Sequence, residues 1–229
     1  MSTESLVNKE AFAPEAPEDF GSRWMTGAVL LMVADASFVA ALSFTFLYLR
    51  GLDTQRAFHP GGTGVASLWW PWVVAVVMVA SALAYRQGVI EHEPGRRHFL
   101  NPGAVGVAGM AIALVLTLVQ MFEFPFAVSD NAYSSAVWLI AAANVFHLLI
   151  AVFLGVGIVM RVHRRVTRGA RDWHVRIVGA WYAWVCAAAV IGAVTVSFAN
   201  STVGCPLPKD QPDPGARSVS VTVCAPSSR

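Results

Sequence analysis

Asp35 and His147 are the two ionisable residues whose positions could support chemistry, because each lies inside a long apolar stretch. A carboxylate in the middle of a membrane-spanning helix costs ~2.5–3.5 kcal/mol on insertion scales, so it must face another helix or water. Asp35 is therefore either part of a proton- or lipid-linked site or a hydrogen-bonded tie between helices. His147 is the only one of six histidines well inside an apolar stretch, and a structural, hydrogen-bonded role is its favoured interpretation.

Two pairs of polar residues have the i, i+3 spacing that places side chains on one face of a helix. For Gln120 we expect an interhelical hydrogen bond, and for Glu123 a solvated position at the membrane interface. The second pair is Asn144 and His147, and both side chains can bond across helices. A bis-histidine haem or a copper centre needs further ligands inside the spans. The sequence therefore predicts no metal site and no redox cofactor in this chain.

Five apolar stretches position these residues, and each is close to the length that crosses a bilayer. About 20 mostly apolar residues span a hydrocarbon core of ~30 Å. Of the 229 residues, 56% are hydrophobic and 13% charged, whereas soluble domains carry about 25% charged residues. The sequence predicts an all-α membrane protein, a single bundle of five transmembrane helices at roughly 24–49, 68–85, 104–122, 132–160 and 177–199.

The distribution of basic residues predicts the orientation of the bundle. Most of the 16 Lys and Arg residues fall in segments on the same side as the N-terminus. The positive-inside rule then places the N-terminus in the cytoplasm and the C-terminus outside. We expect a disordered cytoplasmic tail over 1–22, the five-helix domain over 23–200 and an external tail over 201–229. The net charge of +2, with no basic patch that interleaves aromatics, argues against a nucleic-acid partner.

The three cysteines divide between the last apolar stretch and the C-terminal tail. Cys205 and Cys224 both fall in the tail, which the predicted orientation places outside. An oxidising exterior permits a disulfide between them, and two free thiols are the alternative. The disulfide is favoured. Cys186 lies within the last apolar stretch, where a lone cysteine usually packs as a small hydrophobe.

Aromatic residues open the last apolar stretch on its cytoplasmic side. Trp181, Tyr182 and Trp184 follow one another closely there. Tryptophan and tyrosine concentrate at both membrane–water interfaces. The sequence therefore predicts an interfacial aromatic belt at these positions.

Several short motifs, taken in order, resemble subunit III of the haem–copper oxidases, the family of cytochrome c and quinol oxidases. In chain order the matching residues are Ala34-Asp35, Phe38, Phe46-Leu47-Tyr48-Leu49-Arg50, Gln120-Met121-Phe122-Glu123-Phe124, Pro125-Phe126, Ser129-Asp130, Tyr133, Ser135, Asn144, His147 and Gly155. Two departures mark a divergent branch. Asn144 stands where the family has the first histidine of an H-x-x-H step. The segment from Trp181 to Ala187 lacks the histidine and aspartate of the family's last-helix signature.

The resemblance implies a fold and a role. The fold would be the short five-helix bacterial form of subunit III, a V-shaped bundle that binds phospholipid in a cleft. Asp35, His147 and Asn144 would lie at this lipid cleft and be linked to proton uptake. The residues implied in interhelical or subunit packing are Gln120, Glu123, Asp130, Tyr133, Trp181 and Tyr182.

The same resemblance implies a setting and partners. The chain would be a non-redox subunit of a proton-pumping terminal oxidase that reduces oxygen to water in the bacterial inner membrane. Oxidase subunits I and II would be its partners, holding the haems and copper. The chain itself would bind membrane lipids, and an outer-face cytochrome is a further partner that the topology allows.

Three other functions stay open at the level of sequence. The first is a subunit III-like accessory protein of a nitric oxide reductase, whose partner would carry haem and non-haem iron. The second is a small membrane transporter, although no mid-membrane Gly-Pro break and no inverted repeat is visible. The third is an independent membrane enzyme, for which the sequence offers no evident nucleophile, metal cluster or convergent pair of acids.

Overall fold

The computed structural model describes residues 17–52, 58, 64–91, 100–164 and 173–200, and these form five helices. In chain order the helices are α1 (Pro17–Gly51), α2 (Trp70–Glu91), α3 (Leu100–Phe122), α4 (Ala132–His163) and α5 (Trp173–Asn200). Each contains a window of mean hydropathy between 1.8 and 2.4. The shortest, α2, has 22 residues and so is ~33 Å long, enough to cross a hydrocarbon core. The predicted bundle of five long apolar helices is confirmed, and it has the properties of a multi-pass membrane protein.

The structure differs from the prediction mainly at the helix ends. Helix α1 begins at Pro17, so it includes the last six residues of the segment that the sequence analysis assigned to a disordered tail. Helix α5 begins at Trp173, before the predicted start of the fifth span. Residues 1–16 and 201–229 lie outside the described residues, and the predicted disulfide between Cys205 and Cys224 lies there too.

Four helices pack around one another, and the first lies against their outside. Helix α2 packs on α3 and α5, and α4 completes the group by packing on α3 and α5. The backbone of α1 approaches only α5 and α4 among the described helices. Helix α1 is consequently the least buried of the five, and most of its apolar side chains face outward.

The densest packing lies in the half of the bundle nearest the start of α5. The rings of Tyr85 and Tyr182 are 4.7 Å apart between centroids, and both residues are fully buried. The Tyr182 hydroxyl donates to the Ala151 carbonyl at 3.1 Å and lies directly against Gly155, where a side chain would collide with it. Small residues of this kind let membrane helices approach closely.

Trp181 and Tyr182 do not form the predicted interfacial belt. Trp181 is 7% exposed, and Tyr182 belongs to the buried core. The error came from reading position along the sequence as depth in the membrane. Helix α5 begins at Trp173, eight residues before Trp181, so these aromatics are followed and preceded by helix and lie inside the bundle.

A second cluster ties the connections at the opposite end of the bundle. Tyr133, at the start of α4, is fully buried against Phe46 and Phe58. Its backbone N–H donates to the Phe58 carbonyl at 3.1 Å, and its hydroxyl accepts from the Ala66 N–H at 3.1 Å. The α1–α2 connection is therefore held against the start of α4.

The close approach of α2 and α3 generates a stability prediction. A Cβ at Gly106 would lie 2.7 Å from the Tyr85 Cβ and 2.9 Å from the Ser81 carbonyl oxygen. Overpacking of this kind costs ~1–3 kcal/mol. We expect Gly106→Ala to lower the free energy of unfolding in detergent by that amount. Gly157 has nothing within 4 Å of the same position, so Gly157→Ala is the control and should be neutral or slightly stabilising. Equal losses in both variants would contradict the packing described here.

Candidate functional site

Asp35, His147 and Trp184 meet inside the bundle, although they come from three different helices. The His147 Nε2 atom lies 3.1 Å from Oδ1 and 2.9 Å from Oδ2 of Asp35. The Trp184 indole N–H donates to Oδ2 of the same carboxyl at 2.6 Å. The His147 side chain is 3% exposed and that of Asp35 is 18% exposed. Both carboxyl oxygens therefore have partners supplied by the protein.

The cluster lies near the middle of the membrane-spanning segments. Asp35 follows Arg23, where the first span begins, by ~18 Å of helix, and it precedes Gly51 by ~24 Å. His147 is close to the midpoint of α4, and Trp184 is close to the midpoint of the α5 span. Water is absent from this depth in a bilayer, so an unpartnered carboxyl would be costly there.

The geometry allows a single proton to be shared without leaving a net charge. Either a carboxylate faces an imidazolium, or a neutral carboxyl faces a neutral imidazole, and both arrangements keep the hydrogen bond between Asp35 and His147. A charge left alone in low dielectric costs several kcal/mol even after relaxation. The pairing explains how α1 carries an acid at this depth. Together with the Trp184 hydrogen bond, it joins α1 to both helices on which it packs.

An aromatic ring of α5 packs against the imidazole. The Trp181 ring meets the His147 ring edge to face, with centroids 6.2 Å apart. This contact and the bond to Asp35 both hold the histidine in place. Trp184 and Trp181 are three residues apart on α5, so one face of that helix contacts both members of the pair.

A cavity of about 60 Å³ lies beside the pair and extends toward the end of the bundle where α3 ends. All five helices contribute to its walls, which are mostly apolar. The walls also include five polar side chains: Ser43, Thr117, Gln120, Asn144 and His147. His147 thus bonds to Asp35 and lines the cavity as well.

Asn144 and Gln120 both face this cavity. The Asn144 amide donates across the helix interface to Thr117 Oγ1 at 3.4 Å, while its Oδ1 atom is buried without a hydrogen-bond partner in the described part of the chain. The interhelical bond predicted for Gln120 is not found. Its side chain lines the cavity with no protein partner among the described residues. The prediction failed because it assumed that a neighbouring helix, and not a cavity, faces this amide.

The other predicted residues lie at the end of the bundle where α3 ends and α4 begins. Glu123 accepts a hydrogen bond from the Trp70 indole at 2.9 Å, so this carboxylate is tied to α2. Asp130 accepts from the Ala127 N–H at 2.7 Å and stabilises a local turn. Tyr133 fixes the α1–α2 connection, as described above. These contacts are structural, and the structure does not bring these residues to the Asp35–His147 pair.

Trp184 and Thr117 are the participants that sequence reasoning missed. Trp184 was assigned to an aromatic belt, although an indole N–H inside a span is itself a donor that needs a partner. Thr117 was overlooked because its hydroxyl can bond within its own helix, as it does to Ala113 at 2.8 Å. A helical projection that compares the face of α5 holding Trp184 with the polar face of α4 could have identified Trp184. Nothing in the sequence marks Thr117.

Among the described residues, no group of three or more His, Cys, Asp or Glu side chains is placed to hold a metal ion. Cys186 is buried with a free thiol. The chemistry that the cluster itself offers is to hold a proton between a carboxyl and an imidazole and to present hydrogen-bonding groups to the cavity.

A scan against models of known protein families and a search of curated proteins each found no match to this sequence.

A double-mutant cycle tests the energetic importance of the pair. Asp35→Leu leaves His147 without its partner, and His147→Leu leaves Asp35 with only the Trp184 indole. Each single change should lower the free energy of unfolding in detergent, by between ~1 kcal/mol, typical of a membrane hydrogen bond, and ~3–5 kcal/mol, typical of a broken buried pair. The double variant should lose less than the sum of the two. A coupling energy near zero would mean that the contact does not stabilise the fold.

Proposed function

We propose that this chain is a non-redox subunit of a haem–copper terminal oxidase, similar to subunit III, in the inner membrane of a bacterium. Its N-terminus would lie in the cytoplasm and its C-terminus on the outer face. Subunits I and II would carry the haems and copper, and this chain would stabilise the catalytic subunit and support proton uptake. The proposal rests on the resemblance of the ordered sequence motifs, with support from one feature of the structure.

That feature is the contact between Asp35 and His147. These residues belong to two different motifs of the resemblance and are 112 positions apart in the chain. The resemblance implies that both lie at one cleft, linked to lipid and to proton uptake. Their meeting at mid-depth, beside a cavity, supports assigning the two motifs to a single site. It also supports a role in which the chain holds a protonatable pair within the membrane.

The outer surface of the bundle leaves one face of α1 available to lipid or to a partner subunit. Large apolar side chains along α1, such as Leu30, Phe44 and Leu47, are more than 40% exposed. In a bilayer, lipid tails or the helices of a partner subunit cover such faces. The exposed face of α1 lies opposite its contacts with α4 and α5, so a partner or lipid would meet a helix already fixed by the hydrogen bonds of Asp35.

Isolation of the native assembly tests the proposal directly. We expect mild-detergent affinity purification of the tagged chain to bring along a large haem-bearing subunit, identified by mass spectrometry. We also expect an absorption spectrum with haem a- or haem o-type bands. A b-type haem spectrum together with non-haem iron would instead assign the chain as an accessory protein of a nitric oxide reductase. A colourless chain that purifies alone would contradict both assignments and leave the transporter hypothesis.

A second test addresses the role of the pair in the assembled complex. We expect Asp35→Ala to slow oxygen consumption by the purified oxidase several-fold, because the histidine at the site then lacks its acid. The matched control is Ser37→Ala, two residues further along α1. The Ser37 side chain is exposed, and within the described part of the chain its hydroxyl bonds only to the Val33 carbonyl of its own helix. If turnover, subunit content and bound lipid are all unchanged in Asp35→Ala, the proposed role of this acid is refuted.

A further inference from the structure

We infer that the cavity beside His147 holds a small cluster of water molecules, which connects the Asp35–His147 pair to one end of the bundle. The inference rests on the geometry of the cavity and not on the oxidase assignment. It adds a ligand, water, and a direction of access to a site otherwise enclosed by apolar helices.

The size of the cavity permits several waters. One water needs ~10–15 Å³ of space open to its centre, together with two to four polar partners. The cavity offers about 60 Å³. Five polar side chains line it, which is more than the two to four partners that one water molecule needs. They are Ser43, Thr117, Gln120, Asn144 and His147. Empty cavities in proteins are typically lined by apolar groups alone, and this one is not.

Asn144 supplies the strongest argument for water. Its Oδ1 atom is buried and has no donor in the described part of the chain. A buried acceptor left unsatisfied costs ~1–3 kcal/mol. A lipid acyl chain has no donor to offer, whereas a water molecule can donate to this oxygen and accept from a second group. The Gln120 amide faces the same cavity and presents both a donor and an acceptor.

The arrangement of the polar groups gives the water cluster a direction. His147 lies one helical turn from Asn144 on α4, and Thr117 lies one turn from Gln120 on α3. Asn144 bonds to Thr117, so the four residues place polar groups one after another from mid-depth toward the end of α3. Pro71 and Phe124 line the cavity near that end.

The opposite direction is closed by the dense core. Leu148, Met110 and Tyr182 are fully buried in the packed cluster that fills the other half of the bundle. Water in the cavity therefore extends from the pair toward the end of the bundle where α3 ends and α4 begins, and not into the dense core.

Water-edited solid-state NMR of the full chain in phosphatidylcholine bilayers tests this inference. We expect rapid polarisation transfer from water to the side chains of Asn144 and His147, and transfer several-fold slower to Leu148. Leu148 is the internal reference because it is fully buried in the dense core.

Two substitutions on adjacent residues of α5 sharpen the measurement. Ala193 lines the cavity and is 2% exposed, so Ala193→Leu should fill the space and slow transfer to His147 several-fold. Val194 is 49% exposed on the outer surface, and Val194→Leu should leave the transfer unchanged. If Ala193→Leu does not fold, Asn144→Leu, which removes the unpaired acceptor, serves in its place.

Two results would overturn the inference. Transfer from water to His147 as slow as that to Leu148 in the unmodified chain would mean a dry cavity. Transfer to His147 from lipid acyl protons, with none from water, would mean that a lipid tail fills the space. Neither result depends on whether the chain purifies with a haem protein, so the water cluster and the oxidase assignment fail separately.

Discussion

The pairing of one carboxyl group in the middle of the membrane determines how α1 joins the bundle. Without partners, Asp35 would have to reach water or leave the apolar core. His147 and Trp184 satisfy both of its oxygens, and they come from the two helices on which α1 packs. Helix α1 is otherwise the most exposed of the five described helices. Lipid tails are as apolar as its side chains, so apolar packing alone would not fix its position, whereas this polar cluster fixes α1 against α4 and α5.

The two halves of the bundle use different means to hold the helices together. In one half, large aromatic rings meet small residues, so that Tyr182 fits against Gly155 and the backbones lie close together. In the other half, around Asn144 and Gln120, the helices separate enough to leave a cavity with several polar side chains in its mostly apolar walls. The Asp35–His147 pair lies at the boundary between them. A protonatable group at this boundary has packed side chains on one side and a cavity on the other. The packed side keeps the geometry of the pair fixed.

The helices themselves were predictable, because five runs of apolar residues at membrane-spanning length leave few alternatives. The importance of Asp35 and His147 was predictable for the same reason, since polar groups in such runs are costly. Which side chains face each other was not predictable from composition, and the errors follow from this. Trp181 and Tyr182 were assigned to the membrane–water interface because the sequence does not mark where α5 begins. The helix begins at Trp173, so both residues lie deeper in the bundle than expected. Gln120 was assigned a protein partner because the spacing between helices is invisible in one sequence. Trp184 was missed because its partner lies 149 residues away.

The same long separation in sequence bears on how the chain is made. Synthesis proceeds from the N-terminus, so α1 enters the bilayer while α4 and α5 do not yet exist. Helices α2 and α3 are inserted before His147 of α4 is available to Asp35. Trp184 of α5 becomes available later still and completes the cluster. During that interval the acid has none of its final partners, and α1 is the helix most dependent on the insertion machinery or on interfacial water. The cluster of Asp35, His147 and Trp184 is thus a late, long-range event in assembly, and it joins the first of the described helices to the last two of them.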